Sequence, residues 1–193
     1  MNPSELMRVA SAMVARGKGI LAADESGGTI KKRFDSIKLE STEEHRRSYR
    51  EMLFTAPGAA ESVSGVILYD ETIRQKTRDG TPFPQYLTKQ GILPGIKVDL
   101  GAKPLAGFSG ETITEGLDGL RERLSEYRGL GARFAKWRAV IDIADGIPAR
   151  SRSRRTRMHW RVMRRCARRM TSCRSSSRRC SWTAHTRSSA VSR

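Results

Sequence analysis

Apolar positions in the first 150 residues follow two periods in turn. Leu6, Val9, Ala10, Met13 and Val14 repeat at helical spacing behind Ser4 as a cap, and Gly17 stops that helix. The short apolar run Gly19 to Ala23 reads as a strand that ends in Asp24-Glu25-Ser26. Gly27 and Gly28 then turn the chain into a second helical pattern. Ser41-Thr42-Glu43-Glu44 has capping-box spacing and opens a charged helix through about Phe54, which Pro57-Gly58 ends. Val63 to Tyr69 is a β-branched second strand followed by Asp70-Glu71. Asp79-Gly80 and Pro82-Phe83-Pro84 mark a loop before the short segment Gln85 to Gln90. Leu93 to Asp99 is a third strand, and Gly101 to Gly110 is a loop long enough to be functional. Leu117, Leu120, Leu124 and Tyr127 mark the buried stripe of a further helix, and Ala132 to Ile143 is a fourth strand. Strands alternating with helices predict parallel β/α units, with functional groups at the carboxyl ends of the strands. Four such units make half of an eight-stranded barrel of ~250 residues.

Three of these strands end in charge. Alternation puts Ile20, Ala22 and Asp24 on one face of the first strand and Leu21, Ala23 and Glu25 on the other. It pairs Lys97 with Asp99 on the third strand and Lys136 with Arg138 on the fourth. An Asp at one strand end is ordinarily a turn-former or cap. Unpaired charges inside a sheet protein are costly, however, so three charged ends predict convergence on one polar site.

The totals bound the class and divide the chain. A length of 193 residues suits one domain, and no run of 18 apolar residues suggests a membrane span. The N-terminus reads as an amphipathic helix with no signal peptide, so a cytoplasmic protein is expected. The formal charge of +17 is unevenly spread. Of 37 basic side chains, 14 are arginines of residues 151–193, a stretch with no lysine or acidic residue. That leaves 23 basic against 20 acidic side chains in residues 1–150. Cys166, Cys173 and Cys180 also lie in the basic stretch.

The motifs LAADES, GIKVD and FAKWR, with STEEHRRSYREMLFTAPG, GVILYDET, DGTPFPQYL and LAGFSGETITEGLDGL between them, closely resemble the class I, Schiff-base type of fructose-bisphosphate aldolase through about residue 149. The resemblance implies an α/β fold of the (β/α)8 TIM barrel family, here the first four β/α units. It also implies a metal-independent lyase without a cofactor, usually a cytosolic homotetramer, which cleaves fructose 1,6-bisphosphate to dihydroxyacetone phosphate and glyceraldehyde 3-phosphate. By motif, Asp24 would position or deprotonate the C4 hydroxyl. Lys136 would assist proton transfers and help depress the pKa of the imine-forming lysine. Lys97 would hold Asp24 ionised and touch substrate. Arg33 and Arg138 would contact the sugar phosphate, with Ser26 and Thr29 as further phosphate contacts near a helix N-terminus. A structural ion pair is the alternative reading for each charged residue. The family's imine lysine lies in a sixth-strand segment resembling LLKPNM, which does not occur in this sequence. The paired glutamates of the family's fifth strand are absent too, so inactivity is expected, and a fragment of this size is not expected to form the tetramer.

Residues 150–193 form a separate Arg/Ser-rich tail, expected to be disordered. Such a tail could bind nucleic acid phosphates nonspecifically, or hold a metal through its cysteines. It lacks regularly spaced aromatic platforms and close C-x₂₋₄-C pairs, which weakens both ideas. A frameshift reads better. Starting each codon one nucleotide earlier can turn Ser153 to Arg169 into IEANAHALARYAALCQE, and Ser172 to Thr186 into IVPIVEPEVLMDGAH. These strings resemble the family's fourth helix and glutamate-bearing fifth strand. Met158, Trp160, Met163, Met170 and Trp182, with one codon each, all permit that reading.

Overall fold

The computed structural model describes residues 3–140 and 150–171. In chain order its elements are α1 (Pro3–Met13), β1 (Gly19–Ala23), α2 (Gly27–Ser36), α3 (Glu43–Phe54), α4 (Ala59–Ser62), β2 (Val63–Leu68) and α5 (Asp70–Arg74). There follow α6 (Phe83–Lys89), β3 (Leu93–Lys97), β4 (Ala102–Pro104), β5 (Thr112–Thr114), α7 (Leu120–Gly129), β6 (Phe134–Lys136) and α8 (Arg150–Thr171). Strands β1, β2, β3 and β6 form one parallel sheet in that order. Parallel neighbours need a crossover, and each crossover here contains helix.

The register sorts the side chains onto two faces. Ala22 pairs with Ile67, Ile67 with Gly95, and Gly95 with Phe134, so these four share one face. The opposite face carries Ala23, Val66, Leu68, Ile96 and Val98. They are buried against Ile73 of α5, Phe83 and Leu87 of α6, and Leu120, Leu124 and Tyr127 of α7. The helical stripe expected from Leu120, Leu124 and Tyr127 is therefore the observed contact, with Leu117 packed at its edge. The first face is the open one: Ile20 is 40% exposed and Ala22 is exposed. Phe134 fills part of it by lying over two glycines. A Cβ at Gly95 would sit 2.2 Å from the Phe134 ring, and one at Gly65 would sit 3.1 Å from it.

Local signals acted close to where they were read. Leu6 and Val9 of α1 are buried, and Ser64 Oγ donates to the Met13 carbonyl at 2.8 Å. Thr42 caps α3, accepting from His45 N at 3.1 Å, one residue later than the capping-box pattern begins. The loop expected over Gly101 to Gly110 contains β4, which pairs with β5 as an antiparallel ribbon. The fourth strand is shorter than expected, its regular part ending at Lys136, and its expected end at Ile143 lies outside the described residues.

The larger correction concerns the tail. Residues 150–171, expected to be disordered, form the 22-residue helix α8, packed on α7 and β5. The physical reason is in the sequence. Arginine is a good helix former, and the segment has no glycine or proline. Trp160, Met163 and Ala167 recur at helical spacing, with Met163 buried in the core. His159 Nδ1 also lies 3.0 Å from the Thr114 carbonyl oxygen. Cys173 and Cys180 lie outside the described residues, whereas Cys166 is half-buried on α8.

Candidate active site

The carboxyl ends of β1, β3 and β6 bring charge together. Asp24 follows β1 and is buried, with Lys136 Nζ of β6 2.5 Å from its Oδ2. In the sheet these two strands are separated by β2 and β3. Three strand spacings on a flat sheet come to about 14 Å, farther than a lysine and an aspartate reach between them. The pair is therefore a chord across a strongly curved sheet, on its concave side.

A second pair lies beside the first. Lys97 Nζ sits 2.9 Å from Asp99 Oδ1 and donates to the Asp99 carbonyl at 2.8 Å. Asp99 is buried and also accepts from Arg138 N at 3.1 Å and Gly101 N at 3.2 Å. Lys97 and Lys136 are register partners on β3 and β6. The expectation that Lys97 holds Asp24 is thus corrected: Lys136 holds Asp24, while Lys97 is held by Asp99. The short Asp99 side chain turns back on its own loop, so it neutralises the nearest lysine and leaves Asp24 to the longer reach of Lys136.

The phosphate candidates lie along one side of α2. Ser26 precedes the helix, and its carbonyl accepts from Thr29 N and Ile30 N, each at 2.9 Å. The Ser26 and Thr29 hydroxyls are 3.1 Å apart. Arg33 falls seven residues after Ser26 and so on the same helix face. Its Nη1 lies 2.5 Å from Glu25 Oε1 and 3.2 Å from Tyr49 OH. The Glu25 carboxylate raises the Arg33 pKa from its ordinary value. Half the Arg33 side chain remains exposed, as does the Arg138 side chain at the mouth of β6.

Two arginines that the sequence reading passed over hold these loops in place. Arg50 of α3 is 1% exposed; its Nε donates to the Ala23 carbonyl at 3.0 Å and its Nη2 to the Glu25 carbonyl at 2.9 Å. These bonds bracket Asp24. Burial pulls the Arg50 pKa below its ordinary value. Arg123 of α7 donates to the Val98 carbonyl at 3.1 Å and the Gly116 carbonyl at 2.5 Å, fixing the backbone just before Asp99. Only the STEEHRRSYRE charge run pointed to Arg50, and that run reads equally well as a solvated helix face. A groove of about 590 Å³ lies elsewhere, lined by Glu43, Arg47, Glu71, Arg74 and Arg78. Arg47 and Arg74 there are already paired, with Glu44 and Glu51 and with Asp70 and Glu126 respectively.

Known proteins share this arrangement of elements. The sequence model of the family "Fructose-bisphosphate aldolase class-I" matches residues 5–168. A probable fructose-bisphosphate aldolase class 1 of Xylella fastidiosa is 62% identical over 149 residues, covering 77% of this chain and 45% of that protein. The cytoplasmic isozyme of fructose-bisphosphate aldolase from Spinacia oleracea is 57% identical, covering 75% and 41%. The chain thus spans less than half the length of these relatives. Among solved structures, the Plasmodium falciparum aldolase in complex with TRAP and a small-molecule inhibitor superposes with a TM-score of 0.84 at 45% identity, covering 87% of this chain and 49% of that one. A family match over most of the sequence, on a curved parallel sheet of the TIM-barrel type, places the protein: the chain belongs to the class-I fructose-bisphosphate aldolase family.

Proposed function

We propose that this chain carries the first four β/α units of a Schiff-base fructose-bisphosphate aldolase and, as translated, assembles part of the catalytic site without its nucleophile. The observation that carries this reading is the Asp24–Lys136 pair spanning the concave face, with Lys97 and Asp99 beside it. In a complete barrel, a lysine amine from a later strand would condense with the substrate C2 carbonyl and release water. Asp24 would then take the C4 hydroxyl proton. As the C3–C4 bond breaks, its electron pair would flow into the iminium, and the aldehyde would leave. Lys136 would relay protons on the way to the imine, Lys97 would contact substrate, and Arg33, Arg138, Ser26 and Thr29 would engage phosphate oxygens. The substrate class is a sugar phosphate, and the cytosol is the compartment in keeping with the plant cytoplasmic relative. The family's homotetramer does not form from this chain.

The abrupt change of composition near residue 150 supports a frameshift, and the family model's match runs past that point to residue 168. The expected result is no cleavage of fructose 1,6-bisphosphate and no borohydride-trapped adduct by intact mass on the purified chain. Turnover that Asp24→Asn abolishes would overturn the reading. Resequencing the gene through codons 130 to 190 tests the frame. A single inserted or deleted base near codons 144 to 153, followed by an open frame encoding a lysine-bearing sixth strand, is the expected finding.

A further inference from the structure

Helix α8 has two unlike sides. Trp160, Met163, Cys166 and Ala167 pack against the core, and Arg164 stacks over the Trp160 ring at 4.6 Å. The side turned away from Met163 carries Arg154, Arg161 and Arg165, all exposed. At 1.5 Å per residue these span about 16 Å of helix. Arg154 and Arg161 also border a cleft of about 260 Å³ with Arg157 and Met158. Among the described residues, Arg154, Arg161 and Arg165 make no ion pair, and residues 150–193 contain no carboxylate side chain to supply one.

We propose that this arginine stripe binds the phosphate backbone of nucleic acid without sequence preference. Three features favour that occupant. The cations are all guanidinium, whose planar fork pairs with two phosphate oxygens at once. They are held in a row by a folded helix, so no backbone ordering is added on binding. Trp160, Met163 and Ala167 of α8 are occupied by the core, which leaves Met158 as the large apolar side chain exposed on the described part of the helix, less than the continuous apolar face that an interfacial amphipathic helix puts into a lipid headgroup layer. The inference concerns the chain as translated, tail included; no residue of the strand-end site takes part, so its failure would leave the aldolase reading untouched.

The test is fluorescence anisotropy of the full chain with a labelled 20-nucleotide single-stranded DNA, titrated at several salt concentrations. The triple variant R154Q/R161Q/R165Q removes three exposed guanidinium groups, and glutamine keeps the helix. Its affinity should fall about tenfold or more, and the slope of log K against log salt should lose about 2, three contacts at ~0.7 each. An equal-charge control, R174Q/R178Q/R179Q, should change affinity less than threefold. Equal losses in both variants would mean that net charge alone binds, and would overturn the stripe. So would binding to phosphatidylserine-containing vesicles that is as tight as binding to DNA and equally sensitive to the stripe variant.

Discussion

Replacing Arg50 with methionine is expected to cost about 3–5 kcal/mol of stability, the range for removing one partner from a buried charged network. The side chain is 1% exposed and supplies hydrogen bonds to the carbonyls of Ala23 and Glu25, with its Nη2 also 3.4 Å from Glu25 Oε2. Methionine has similar length and fits the apolar stem, yet it cannot donate to the carbonyl of Ala23 or of Glu25. Arg50→Lys should fall between, because one ammonium cannot serve both carbonyls with the geometry of a guanidinium. Urea denaturation followed by circular dichroism measures the loss. A midpoint for Arg50→Met within error of the parent would show that the network is solvated and that Arg50 does not hold the end of β1. The local consequence concerns Asp24. Its backbone lies between the two carbonyls that Arg50 clamps, so amide exchange at Asp24 and Glu25 should quicken even in Arg50→Lys, while exchange in α7 stays as it was.

What could be read in the sequence followed the reach of each signal. The parallel strands and the buried stripe of α7 were legible because period-2 and period-3.6 burial act within a few residues. Asp24, Lys97 and Lys136 were legible as a set because each ends a strand on the same alternating face. Their pairing was not. Which lysine reaches Asp24 depends on how far the sheet curls, and curvature is a property of four strands together. Arg50 was invisible for a similar reason, since a helix rich in Glu and Arg gives no sign of which arginine turns inward. The tail shows the opposite failure. Its composition argued for disorder strongly enough to mask the helical spacing of Trp160, Met163 and Ala167, a stripe that only needs a complementary surface, and α7 and β5 provide it. Residues 172–193, where the out-of-frame string would place the fifth strand, lie outside the described residues.

In GIKVD the periodicity makes Gly95 one strand residue among others, whereas the structure gives it a steric task with a measurable consequence. Gly95→Ala places a Cβ 2.2, 2.3 and 2.6 Å from three atoms of the Phe134 ring, well inside van der Waals contact. The ring cannot slide over β2 to make room, because it already lies 3.1 Å from where a Gly65 Cβ would be. It must tip toward the open side of the sheet or push β3 and β6 apart. Overpacking of this kind costs about 1–3 kcal/mol. Lys97 and Lys136 are register partners two residues beyond Gly95 and Phe134, so a separation there would carry to both ion pairs. Phe134→Ala alone should cost about 3–5 kcal/mol through lost burial and a cavity. In Gly95→Ala/Phe134→Ala the new methyl enters space the ring has left. The double variant should therefore be more stable than the sum of the single losses implies, by about 1–3 kcal/mol. Chemical denaturation of the four proteins closes the cycle. Additive losses would mean that the ring and the glycine do not meet, and the concave face would then need another explanation for its two glycines.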